Sequence, residues 1–139
     1  MSAEAAPAAS LPSAPRCGVV LFSHGSRDPL WRAPIEAVQS RLQADQPGLP
    51  VRCAYLELTQ PDLGTAVRQL VQEGVRQITI VPMFLGTGRH AREDLPVLVE
   101  ALRQAHGEEV RLGVQQAIGE DPRMTALMAQ IAAEPATKP

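Results

Sequence analysis

Between Cys17 and Ala133 the chain alternates short apolar runs with segments whose apolar residues recur every three or four positions. The runs CGVVLFS (17–23), VRCAYLE (51–57), QITIVPMF (77–84) and VRLGVQ (110–115) have the length and β-branched content of strands. Helical spacing follows each of them. Ile35, Val38 and Leu42 form the first inward stripe, closed by Pro47 and Gly48. In the second segment Pro61 suits an early helical position, Leu63, Val67, Leu70 and Val71 face the core, and Gly74 marks the stop. Pro96 lacks an amide hydrogen, so the third helix is expected to become regular only from Asp94 or Leu95, with residues 86–93 as a loop or loose first turn. Its inward residues are Leu95, Leu98, Val99 and Leu102. Asp121 as cap and Pro122 as first residue open the fourth helix, whose apolar face is Leu127, Met128 and Ile131. Four β-α units predict an α/β domain over residues 17–133, a four-stranded parallel sheet with helices on both faces.

Composition narrows the class. A chain of 139 residues with 45% apolar content supports one core. A net charge of −2 argues against a protein that neutralises nucleic-acid phosphates, and 3% aromatic residues leave little for base stacking. Cys17 and Cys53 are too few for a disulfide scaffold or a zinc knuckle and read as two small buried hydrophobes in a reducing cytoplasm. Residues 1–16 are rich in Ala, Pro and Ser without a basic start, which reads as a flexible tail, not a signal peptide; residues 134–139 read as a second tail. No apolar run reaches the roughly eighteen residues of a membrane span, so no membrane role and a cytoplasmic location are expected.

In an open parallel sheet, ligands bind beyond the carboxyl ends of the strands. The polar residues just after the first three strands are His24, Glu57 and His90, evenly spaced by one β-α unit. Two imidazoles and a carboxylate on one sheet edge suit a divalent transition metal, and three ligands make an open site instead of a closed structural zinc centre. Arg27, Arg89 and Arg92 flank the histidines, and Gly25, Gly86 and Gly88 allow the backbone close to a bound group. Arginine holds carboxylate or phosphate through paired hydrogen bonds, so the implied ligand is an anion that also meets a metal. The alternative for each arginine is a solvated charge, or a pairing of Arg27 with Asp28 or Glu93. His106 is explained by the carboxyl end of the third helix, and Trp31 as a partly buried anchor beside the first helix with contact to a flat ligand left open.

The stretches LFSHGSRDP, AYLEL followed by QPDL, and VPMFLGTGRHAREDLP together resemble the small sirohydrochlorin chelatases of the CbiX type, class II and ATP-independent. The resemblance spans roughly residues 16–133 and implies a chelatase-like, flavodoxin- or Rossmann-like three-layer domain. It implies insertion of a divalent metal into the polycarboxylate tetrapyrrole sirohydrochlorin, in cobalamin or sirohaem biosynthesis. Cobalt is the commonest assignment for such chains, with iron and nickel as alternatives. His24 and His90 would receive the metal, Glu57 takes the family's acidic position, and Gly25, Ser26, Arg27, Gly86, Gly88, Arg89 and Arg92 would meet the substrate. Longer class II enzymes use two lobes across a cleft, so a short member is expected to form a homodimer. The histidine-rich segment of some members is not found here.

For ligation the imidazoles must be neutral, so activity is expected to fall on acidification through the histidine range. Glu57 would ligate the metal or accept a pyrrole proton, with partial desolvation at the strand end raising its proton affinity. Two rivals stand beside this reading. SHGSR has some likeness to the start of histidine phosphatases, but the arginine follows the histidine instead of preceding it. A non-catalytic cytosolic carrier of metal or tetrapyrrole would look the same in sequence.

Overall fold

The computed structural model describes residues 15–138. Strands β1 (Cys17–Ser23), β2 (Val51–Tyr55), β3 (Gln77–Pro82) and β4 (Arg111–Val114) alternate with helices α1 (Ala33–Asp45), α2 (Leu63–Gln72), α3 (Arg89–His106) and α4 (Pro122–Ala132). The first tail expected from composition falls almost wholly outside the described residues, and Pro139 of the second does too.

All strand pairs are parallel, in the order β2-β1-β3-β4. The chain leaves β1 toward one edge and returns past it toward the other, so the strand order reverses between β1 and β3. Loops after those two strands therefore diverge and open a crevice at the carboxyl edge, the switch point where such sheets take ligands. Strand alternation divides the core in two. Val20 and Phe22 of β1 join Ile78 and Ile80 of β3 beneath Leu63, Val67 and Leu70 of α2 and Leu95 and Val99 of α3. On the opposite face Leu21, Val51, Cys53, Tyr55 and Val81 pack under Ile35 and Leu42 of α1.

Several expectations are corrected. The third helix begins at Arg89, well before Asp94, and runs through Pro96. Ala91, Leu95 and Val99 are buried at four-residue intervals, and that packing outweighs the one hydrogen bond the proline cannot make. Pro61 stays outside α2, because Asp62 caps the helix by accepting a bond from Thr65 N at 2.8 Å. The Thr65 amide holds the Asp62 carboxyl below the usual carboxylate range. Strands β2, β3 and β4 are each shorter than their apolar runs. Cys53 is buried as expected, but Cys17 is exposed, since it is the first residue of β1 and lies at the uncovered amino edge.

The outward helices also depart from their pattern. Asp121 and Pro122 open α4 as the sequence indicates, yet no α4 residue is buried, and Leu127 and Ile131 are 46% and 57% exposed. Val38 of α1 and Leu98 of α3 are likewise exposed. Amphipathic spacing specifies which side is apolar, but something must cover that side, and among the described residues no α4 side chain is fully covered. No helix among the described residues is long and apolar enough to cross a membrane.

Candidate functional site

Ser23 ends β1 and Tyr55 ends β2, and the two strands remain bonded beyond their regular ends. Leu56 N donates to Ser23 O at 2.9 Å, and Glu57 N donates to His24 O at 3.1 Å. The backbone thus carries His24 and Glu57 side by side. A glycine makes the approach possible: Gly25 has φ +100°, and a Cβ there would lie 1.8 Å from Glu57 O. Thr59 closes the junction, accepting from Ser26 N at 3.0 Å and donating to Ser26 O at 2.7 Å. The result is a His24 Nε2–Glu57 Oε2 separation of 3.6 Å, with both side chains about half exposed. Glu57 therefore lacks the desolvation expected of it at a strand end.

The loop after β3 is fixed in a parallel manner. Met83 N donates to Phe22 O at 2.7 Å, which keeps the start of that loop against β1. Phe84 anchors it in the core, edge-to-face with Phe22 at 6.1 Å. Gly119, beyond β4, sits so close that a Cβ would be 2.0 Å from Leu85 O. Gly86 and Gly88, by contrast, face open space and have no protein neighbour that requires glycine.

His90 lies in the first turn of α3 and is exposed. The structure does not bring it into the His24–Glu57 pair: among the described residues no group of three or more His, Cys, Asp or Glu side chains is placed to hold a metal. The expected three-ligand convergence is thus a two-residue pair, with His90 separate in the first turn of α3.

The arginines divide as well. Arg89 pairs with Glu93 at 3.2 Å, and Arg92 Nη1 donates to Thr87 O at 3.3 Å. Arg27 makes no ion pair among the described residues, with neither Asp28 nor Glu93; Asp28 instead accepts from Leu30 N. A cavity of about 800 Å³ opens beside this loop and is lined by Ser26, Arg27, Leu58 and Thr59, with Tyr55 of β2 and Arg32 further along it. Trp31 is 39% exposed and packs edge-on to Tyr55 at 6.4 Å, the anchoring expected of it. Burial, reinforced by Cys53 and Glu36, pushes the Tyr55 hydroxyl up to about 12, so it stays protonated. His106 is the last residue of α3, in the position that explains it without a role in the site.

Sequence reasoning missed Thr59, Leu58 and Gly119. Thr59 and Gly119 act through contacts between loops far apart in the chain, for which no local spacing exists. Leu58 carries a φ of +64°, the one positive φ outside glycine among the described residues.

Known proteins resemble this one throughout the domain. The sirohydrochlorin cobaltochelatase of Methanothermobacter thermautotrophicus is 32% identical over 95 residues, covering 67% of this chain and 64% of the relative. That of Saccharolobus islandicus is 28% identical over 112 residues, covering 77% and 86%. The chain thus spans less than two thirds of the methanogen protein. The crystal structure of the putative cobalamin biosynthesis CbiX protein from Marinobacter aquaeolei superposes with a TM-score of 0.72 at 33% identity, covering 84% of this chain and 93% of that one. The cobalt complex of the sirohydrochlorin chelatase SirB from Bacillus subtilis has the same fold, with a TM-score of 0.69 at 23% identity, but only 50% of it is matched by 84% of this chain. The CbiX family model matches residues 18–134, which takes in all four β-α units and both site loops, and the chain belongs to that family.

Proposed function

We propose that this protein inserts a divalent metal, cobalt foremost and iron or nickel as alternatives, into sirohydrochlorin without ATP. The observation that carries the proposal is the His24–Glu57 pair, held between the β1 and β2 loops at the carboxyl edge of a CbiX-family sheet, near Arg27, which makes no ion pair among the described residues. Residues 17–133 are the chelatase domain.

Metal insertion must strip water from the ion and remove two protons from pyrrole nitrogens. His24 Nε2 and Glu57 Oε2, 3.6 Å apart, offer one nitrogen and one oxygen on the same side of the crevice, so they replace waters stepwise and position the incoming ion. Once the metal passes to the ring, Glu57 and His24 are both free, so each accepts one of the two pyrrole protons and releases it to solvent. His90 is a second imidazole donor, from the first turn of α3. Arg27 meets a substrate carboxylate directly, whereas Arg89 must exchange Glu93 for one; Arg92 serves the same periphery with Ser26, Gly25, Gly86 and Gly88 lining the path.

The protein works as a cytoplasmic homodimer, a lyase whose cavity is formed by two copies. Support comes from SirB, of which this chain matches half, and from the uncovered apolar residues of α4. Light scattering should give twice the 14.9 kDa chain mass.

The test is anaerobic absorbance of sirohydrochlorin with Co²⁺, Fe²⁺ or Ni²⁺, for wild type, His24→Ala, His90→Ala and a protein-free control. Acceleration above the control that both substitutions abolish is the expected result, and the relative rates rank the metals. Equal rates with and without protein would remove catalysis and leave a carrier. Glu57→Gln separates the two further: a chelatase loses rate, whereas a carrier keeps its affinity.

A further inference from the structure

Leu58 occupies a place that neither backbone preference nor packing explains. Its φ of +64° is a left-handed conformation that glycine or asparagine adopts readily and that a leucine adopts only under strain. Its side chain is 53% exposed, so the strain is not offset by burial in the core. Leu56, two residues earlier, does pack against the core, and the chain turns outward between them.

The location is specific. Leu58 follows Glu57, whose carbonyl is pressed against Gly25, and precedes Thr59, which is bonded twice to Ser26. Both flanking residues are held by the β1 loop, so the left-handed turn is enforced from both sides and the side chain is presented at a fixed position. It lines the same cavity as Ser26 and Arg27, next to the His24–Glu57 pair in the chain. Strain of this kind persists where surrounding structure imposes it, and clusters where a ligand is gripped. A rigid apolar group beside a guanidinium that makes no ion pair among the described residues complements a ligand with an apolar face and an anionic edge.

We infer that Leu58 is a substrate-binding residue whose strained presentation sets its side chain against the apolar face of the tetrapyrrole ring while Arg27 takes a carboxylate at the rim. This rests on the chelatase reading and adds to it a residue that grips the ring and not the metal. An apolar contact that holds one region of a flat ring while His24 and Glu57 present the ion also favours the bent ring that insertion requires.

The experiment compares wild type, Leu58→Gly, Leu58→Asn and Leu58→Met in four measurements: thermal unfolding, Co²⁺ affinity, fluorescence titration with metal-free sirohydrochlorin, and oligomeric mass. Leu58→Gly and Leu58→Asn relieve the strain, so their melting temperature should equal or exceed that of wild type. Their sirohydrochlorin Kd should rise about tenfold, the low end expected for loss of an apolar contact in a ligand site. Co²⁺ affinity and mass should stay unchanged, and Leu58→Met should restore most of the ring affinity. A Kd within twofold of wild type in both relaxed variants overturns the inference. So does a fall in melting temperature, which would make Leu58 a packing residue, or a change in mass, which would make it an interface residue. The titration reads binding without turnover, so a wild type that binds the ring but inserts no metal would sink the chelatase reading alone.

Discussion

Replacing Gly25 by alanine tests the whole construction of the site. The new Cβ would lie 1.8 Å from Glu57 O and 2.9 Å from its carbon, so the carbonyl must retreat beyond 3.0 Å. No rotamer relieves a clash between backbone atoms. Retreat stretches the Glu57 N to His24 O bond, now 3.1 Å, and pulls on the Ser26–Thr59 bonds. The left-handed φ of +100° costs an alanine about 1–2 kcal/mol, and the overpacking about 1–3 kcal/mol more. A loss of ~3 kcal/mol lowers the melting temperature by ~10 °C in a domain of this size. Catalysis should suffer more than stability, because a shift of about 1 Å between positioned groups costs on the order of 10²-fold in rate. The assays are thermal unfolding by circular dichroism and anaerobic cobalt insertion, with Gly48→Ala as control, since nothing lies within 4 Å of a Cβ at Gly48. A Gly25→Ala protein that melts within about 2 °C of wild type and inserts cobalt at the same rate would refute the reasoning.

Gly119→Ala should displace the β3 loop through the 2.0 Å approach to Leu85 O, lowering stability by about 1–3 kcal/mol and reducing insertion, as read by unfolding and the same absorbance assay. Asp62→Ala should cost about 1 kcal/mol near neutral pH by removing the cap on Thr65 N, measured by urea unfolding. Because the folded state depresses the Asp62 carboxyl, that stabilisation is complete above the usual carboxylate range and disappears as pH falls through the folded value; the wild type and the variant should therefore converge in acid. Iodoacetamide should alkylate Cys17 alone in the folded protein and both cysteines in urea, since burial, with Glu36 nearby, raises the Cys53 thiol and closes access to it. Peptide mass mapping reads the result, and rapid labelling of Cys53 in the native state would contradict its burial.

Amino-acid order alone determined the four strands, the faces of α2 and the core side of α3, the cap at Asp121, and the edge on which His24, Glu57 and His90 fall. Those features depend on neighbours within a few residues, where a period of two or 3.6 and a cap or breaker state the outcome locally. Pro96 misled because its penalty is local, while the burial of Ala91, Leu95 and Val99 that overrides it depends on the sheet beneath. The exposure of Leu127 and Ile131 was hidden for the converse reason: an apolar stripe shows which side seeks cover, not whether cover is there. The His24–Glu57 pair without His90, the clamp by Thr59, the seats at Gly25 and Gly119, and the strained Leu58 were decided only by tertiary structure. Each requires loops from different β-α units to meet, and which loops meet follows from the β2-β1-β3-β4 order, a property of the assembled sheet that no single segment carries.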